Sequence, residues 1–263
     1  MADYTSISVA TDGAVTTLAI ARPDKLNAIT PTVFTELTAA IHAALAAGTK
    51  AFVLSGEGRF FCSGADIAPD GQGYEGLPED LGPLVEAHYN PFTRLLASLP
   101  VPIVTALNGP AAGAGVSMAL SGDIVVAGRS SYLLLAFVNI ALVPDAGATW
   151  LVARSLGRAR TLEMCLLGER LPAEDAKAAG LIARVVDDAE VLAEAQKIAA
   201  KLAAGPSKAV GAIRRQVAFA LDHGLNAVLD HERDNQQEMG RTADFAEAIA
   251  AFGEKRKPVF RGI

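Results

Sequence analysis

The chain has 263 residues, of which 51% are hydrophobic and 20% charged, with 24 Gly and 13 Pro. That is the composition of a globular protein long enough to bury a full core without staples, and it excludes disordered, collagenous and coiled-coil classes. The net charge of −6, with no long Lys/Arg run, gives no footprint for nucleic-acid binding.

Two cysteines, Cys62 and Cys165, make no disulfide framework, and four scattered histidines (His42, His88, His223, His231) make no zinc motif. No metal is expected. Met1-Ala2-Asp3-Tyr4 carries no basic patch ahead of an apolar stretch. The longest apolar run, residues 132–143, falls short of the roughly 20 residues that a membrane span needs. The expectation is a cytoplasmic protein that engages neither membrane nor nucleic acid.

In chain order, residues 7–21 read as a hairpin turning at Asp12-Gly13, a pair that tolerates positive φ. After the loop 22–28, Thr30-Pro31 marks a helix start, and Val33, Leu37, Ile41 and Leu45 recur every four residues along one stripe. Gly48 ends this helix. Residues 51–54 form a short buried strand followed by the loop 56–67, and the Gly-, Pro- and acid-rich stretch 68–83 reads as a mobile loop or lid. A helix over 84–97, a strand over 103–107 and the turn Asn108-Gly109-Pro110 come next. They are followed by a helix over 116–120, strands over 123–127 and 132–137, and the loop 142–147. From Thr149 onward the pattern is helical except for a strand within 180–186. Strands alternating with helices and then helices alone predict an α/β core with a helical C-terminal extension.

Two turns rich in small residues, Cys62-Ser63-Gly64-Ala65-Asp66 and 108–115, each follow a strand. Small residues there let a ligand approach closely and leave N–H groups unpaired at a helix start, where an anion or oxyanion can sit. The bland alternative is a pair of tight turns packed on a sheet. Gly113-Ala114-Gly115 is a poor dinucleotide fingerprint because Met118 holds the third glycine position and no acidic residue ends the next strand. Gly115-Val116-Ser117-Met118-Ala119 approximates a nucleophile elbow, with Asp145 and His223 or His231 in the hydrolase order. Both histidines, however, lie in helical sequence, and no HGGG-like segment precedes the serine.

Five segments in order, namely Arg22-Pro23-Asp24-Lys25-Leu26-Asn27-Ala28, 61–67, 108–115, Val143-Pro144-Asp145-Ala146-Gly147 and 254–260, resemble the crotonase (enoyl-CoA hydratase/isomerase) superfamily over nearly the whole chain. The resemblance is strongest to its epoxyphenylacetyl-CoA and enoyl-CoA isomerase branch. It implies a crotonase-like α/β spiral of ββα turns with a C-terminal helical trimerisation region. Residues 1–200 would be the catalytic core and 201–263 the assembly region, in a homotrimer or dimer of trimers. It further implies an acyl-CoA substrate and no cofactor, coenzyme A entering as part of the thioester.

By the same resemblance, the N–H groups of Ala65 and Ala114 form an oxyanion hole. Hydratases of the superfamily use two glutamates, and the matching positions here are Ser117 and Phe137, so water addition loses its carboxylates. Asp145, after Pro144, stands where the isomerases carry their acidic base; the alternative for it is a helix N-cap. Burial beside Phe137 and Leu142 is expected to raise its pKa. Substrate contacts are expected from Lys25, Leu26, Ala28, Ser63, Asp66, Ile67, Gly109, Ser117, Phe137, Leu142 and Pro144, with Lys257 and Phe260 reaching in from a neighbouring subunit. Phe137, Leu142 and a lid near Tyr74 would enclose the acyl group. The implied activity is acyl-CoA double-bond isomerisation. A hydratase or lyase using Asp145 alone, a serine hydrolase at Ser117 and a non-catalytic CoA-binding protein are the alternatives.

Overall fold

The computed structural model describes residues 3–69 and 75–263, so the expected lid near Tyr74 lies outside the described residues. Strands β1 (Ile7–Asp12) and β2 (Val15–Ile20) pair antiparallel around Gly13, whose φ of +56° is the left-handed conformation the turn requires. A single 3-10 turn over Pro23–Lys25 leads to α1 (Pro31–Ala46), which buries Val33, Leu37 and Ile41. Strand β3 (Ala51–Gly56) follows, then a continuous rod made of α2 (Leu81–Leu84), a π-helical turn over Val85–Tyr89, and α3 (Asn90–Ser98). Next come β4 (Ile103–Leu107), the two-residue β5 (Ala111–Ala112), α4 (Ala114–Leu120), β6 (Ile124–Gly128) and β7 (Tyr132–Leu134). The C-terminal part holds α5 (Ala148–Leu167), β8 (Arg170–Pro172), α6 (Ala173–Ala178), β9 (Arg184–Val186), α7 (Val191–Ala203), α8 (Ser207–Ala220), α9 (Leu225–Met239) and α10 (Ala243–Gly253).

The larger sheet has the order β1-β2-β3-β4-β6-β9 and is parallel from β2 onward. Both of its faces are covered, as parallel sheets require. Phe52, Leu54, Ile103 and Leu107 point into the core shared with α1, while Ala51, Val53, Val104 and Ala106 point at Ala195, Ile198 and Ala199 of α7. The period of two in β3 and β4 thus makes two cores, and α7 belongs to the sheet it covers. The smaller sheet, β5-β7-β8, carries one of the two turns described below.

Two expectations need correction. The strand expected over 132–137 stops at Leu134, the last residue that pairs with β5 on one side and β8 on the other, and the Leu134 carbonyl accepts from Gly113 N. Residues Ala136–Ile140 wind instead into a 3-10 helix. The helical pattern expected from Thr149 to the strand at 180–186 is broken at Gly157, whose φ of 69° and ψ of 176° are non-helical, and short β8 lies beyond it.

Candidate active site

The turns that follow β3 and β4 are built against each other. Cys62 and Ala111 form a parallel bridge, and Ala112 N donates to the Cys62 carbonyl at 2.9 Å. Gly64 (φ +97°) and Gly113 (φ +52°) meet at the centre: a Cβ on Gly64 would lie 2.9 Å from the Ala112 carbonyl oxygen, and one on Gly113 3.8 Å from the Gly64 Cα. Only glycine combines these angles with this approach. On the first turn, Gly64 O accepts from Ile29 N and Asp66 N donates to Ile29 O, so the intervening Ala65 N–H is left over. On the second, Ala114 is the first residue of α4, where helix geometry leaves N–H groups without an internal acceptor. Among the described residues neither Ala65 N–H nor Ala114 N–H makes a hydrogen bond. Two such donors from adjoining turns are what a developing oxyanion needs.

Both alanines line a cavity of about 220 Å³. Leu81, Leu84, Val85 and Tyr89 of the rod form one wall, with Leu77 beside them; Ala136, Phe137 and Ile140 of the 3-10 helix and Leu142 form another. Asp145 is the one acidic residue among the described lining residues. Its Oδ1 is buried without a hydrogen-bond partner, and burial pushes the carboxyl up to about 6 against the pull of its own backbone N–H. The alternative of a helix cap is not borne out: α5 begins at Ala148, its N-cap is Gly147, and no side chain caps it. Asp145 instead leads into a tight turn in which Ala146 (φ 50°) and Gly147 (φ 85°) are both left-handed. For alanine that conformation costs about 1–2 kcal/mol.

Of the residues expected at the site, Ala65, Ala114, Ser63, Ile67, Phe137, Leu142 and Asp145 share this cavity. The others do not line it. Asp66, expected as a substrate contact, is buried and paired with Arg22 at 2.9 Å, and Arg22 also donates to the Ala28 carbonyl. This buried pair ties the first loop to the oxyanion turn. Ala28 is buried, Leu26 is half-buried with φ 51°, and Lys25 is exposed. Gly109 is a close-approach position, since its Cβ would collide with the Arg59 carbonyl. Ser117 sits behind Asp145, its Oγ donating to the Asp145 carbonyl at 3.2 Å, and Pro144 flanks the turn. Lys257 is exposed and Phe260 half-buried in a tail held along α10, where Glu247 accepts from Val259 N and Asp244 from Arg261 N and Gly262 N. His223, expected in helical sequence, sits in the turn between α8 and α9, and it stacks with His231 of α9 on Phe219 of α8; Ser117 Oγ donates to main chain.

The sequence reading missed Leu77, Leu81, Leu84, Val85, Tyr89, Ala136, Asn139 and Ile140 of the lining. Leu77, Leu81, Leu84 and Val85 follow the spacing i, i+4, i+7, i+8 of a helical apolar face, a signal hidden by the Pro and Gly residues around it. Among the described residues no cluster of three or more His, Cys, Asp or Glu could hold a metal, and no helix is long and apolar enough to cross a membrane.

The profile of the enoyl-CoA hydratase/isomerase family matches residues 10–262. The chain belongs to that family. Among its members, the 1,2-epoxyphenylacetyl-CoA isomerase of Escherichia coli K12 is 42% identical over 249 residues, covering 94% of this chain and 95% of the relative. A "probable enoyl-CoA hydratase" of Rhodobacter capsulatus is also 42% identical, over 241 residues and 92% of each chain. The crystal structure of an enoyl-CoA hydratase from Bacillus anthracis superposes with a TM-score of 0.91 at 28% identity, covering 98% of this chain and all of the other. The crotonase fold is therefore that of this chain, and its chemistry is enoyl-CoA hydratase/isomerase chemistry.

Proposed function

We propose that this family member is an acyl-CoA double-bond isomerase. The observation that carries the reading is the single acid: among the described lining residues Asp145 alone is acidic, and it shares the cavity with the Ala65 and Ala114 N–H groups. The family resemblance adds that Ser117 and Phe137 stand where hydratases carry their two glutamates. The thioester carbonyl accepts from both N–H groups. The Asp145 carboxylate takes a proton from one carbon of the allylic system, the negative charge moves onto the carbonyl oxygen, and the proton returns to the other end of the system. No atom is gained or lost. Each oxyanion donor in related chemistry is worth about 10²–10³ in rate.

Lys25, Leu26 and Ala28 in the first loop and Lys257 and Phe260 in the tail of a neighbouring subunit hold the CoA handle in this reading, and the assembly is a homotrimer or a pair of trimers. Exposed Leu225, Leu229, Ile249 and Phe252 on α9 and α10 support self-association. A hydratase name on one relative keeps hydration as the competing activity. Matched 3-enoyl-CoA, 2-enoyl-CoA and epoxyphenylacetyl-CoA substrates, given to the protein and to Asp145→Asn, decide between them. The isomerase reading expects positional exchange of the double bond or rearrangement of the epoxide, both lost in Asp145→Asn. Water addition as the dominant reaction, or full isomerisation by Asp145→Asn, overturns it.

A further inference from the structure

We infer that Ser117 and Thr93 are positioning residues that together aim the Asp145 carboxyl by clamping the two peptide carbonyls around it. Ser117 Oγ, on α4, donates to the Asp145 carbonyl at 3.2 Å, and Thr93 Oγ1, on α3, donates to the Ala146 carbonyl at 3.2 Å. Two consecutive peptides of one turn are thus gripped by hydroxyls from two different helices. The turn needs such a grip, because Ala146 and Gly147 are both left-handed, and such backbone persists only where its surroundings over-determine it. The Thr93 methyl lies 3.4 Å from where a Cβ on Gly147 would sit, so the same side chain also closes the space behind the turn. Phe34, Phe92, Thr93, Ser117 and Ala146 bound only a small void of about 10 Å³ at the clamp.

Beyond the pull of its own backbone N–H, the carboxyl has no comparable hold. Its Oδ1 finds no protein partner, so its direction is inherited from the peptides that carry it. Ser117 itself is 1% exposed and touches no part of the acyl cavity. Its place in the sequence, close to the Gly113-Ala114 turn, therefore serves the base from behind. The catalytic part of this inference rests on the isomerase reading; the geometric part does not.

The test combines Ser117→Ala, Thr93→Val and the double variant with the conservative Ser117→Thr and Thr93→Ser. The kinetic readout is kcat against KM for 3-enoyl-CoA isomerisation. The second readout is the titration of the Asp145 carboxyl by ¹³C NMR, assigned by its loss in Asp145→Asn. A misaimed group loses on the order of a hundredfold in rate, and the double variant is expected to lose that in kcat with KM unchanged within about twofold, while Ser117→Thr and Thr93→Ser recover most of it. The carboxyl of the double variant is expected to titrate below the wild-type value, because a released side chain turns toward water. An unchanged titration with unchanged kcat overturns the clamp, as does a loss seen equally in KM and not rescued by Ser117→Thr or Thr93→Ser. If the wild-type protein isomerises none of the substrates, the isomerase reading fails by itself. The NMR titration of wild type and double variant then still decides whether the hydroxyls hold the carboxyl.

Discussion

In the proposed mechanism Asp145 is the residue on which the chemistry turns, and its environment sets two opposed pH dependences. Burial raises its carboxyl to about 6. A base must be ionised to accept a proton, so kcat/KM for isomerisation is expected to rise with pH through about 6 and then level off, as a pH-rate profile would read directly. The stability effect has the opposite sign. A carboxyl whose folded pKa lies above its unfolded value favours folding when protonated, and this contribution is lost as pH rises from the ordinary carboxylate range through about 6. Asp145→Asn removes the desolvated charge. It is therefore expected to raise Tm at pH 8 while abolishing turnover, with the gain gone at pH 4; thermal melts at the two pH values check this. Asp66 makes the contrasting case. Its carboxylate answers the Arg22 guanidinium in a site where both side chains are nearly buried, at 9% and 13% exposure. Removing one member of a buried pair costs about 3–5 kcal/mol, so Asp66→Ala should lower the urea midpoint by a corresponding amount.

At the scale of elements, the two turns that leave the Ala65 and Ala114 N–H groups unpaired were legible in the sequence as runs of small residues, but their mutual contact was not. The bridge between Cys62 and Ala111 joins residues almost fifty positions apart, and no local pattern announces it. Gly113 is the sharpest test of the arrangement. With φ +52° and ψ −129°, Gly113→Ala is strained by about 1–3 kcal/mol. Because Gly113 immediately precedes the Ala114 donor, kcat should fall by about 10²–10³ while the fold survives; steady-state kinetics beside a circular dichroism spectrum would separate the two effects. Ala136 and Phe137, the first two residues of the 3-10 helix, were read as strand because apolar residues there fit either period. The acyl wall on the rod was missed for a different reason: its helical spacing begins in a segment whose glycines and prolines mask it.

For the whole molecule, the α/β core and the helical remainder were readable from the change in pattern near the C-terminal third. The period of two in β3 and β4, in which every residue is buried, follows from a sheet covered on both faces. What the pattern concealed is the role of α7, whose Ala195, Ile198 and Ala199 belong to the core of the sheet, so a division at residue 200 would cut through a covering helix. Beyond it, α9 and α10 expose Leu225, Leu229, Ile249 and Phe252. Phe252 is 86% exposed, and Ile249→Glu with Phe252→Glu is expected to shift the protein to smaller species in sedimentation velocity while leaving Tm within a few degrees. The main-chain origin of the two donors has a further consequence. In the proposed mechanism Ala65 and Ala114 contribute N–H groups and not side chains, so exchanging either for any residue but proline leaves the donor in place, whereas the acid hangs on one residue of a separate turn. Electrophile and base are thus independently editable. New reaction outcomes can be reached by relocating a carboxylate around the cavity rim while the part that activates the thioester stays where the sheets hold it.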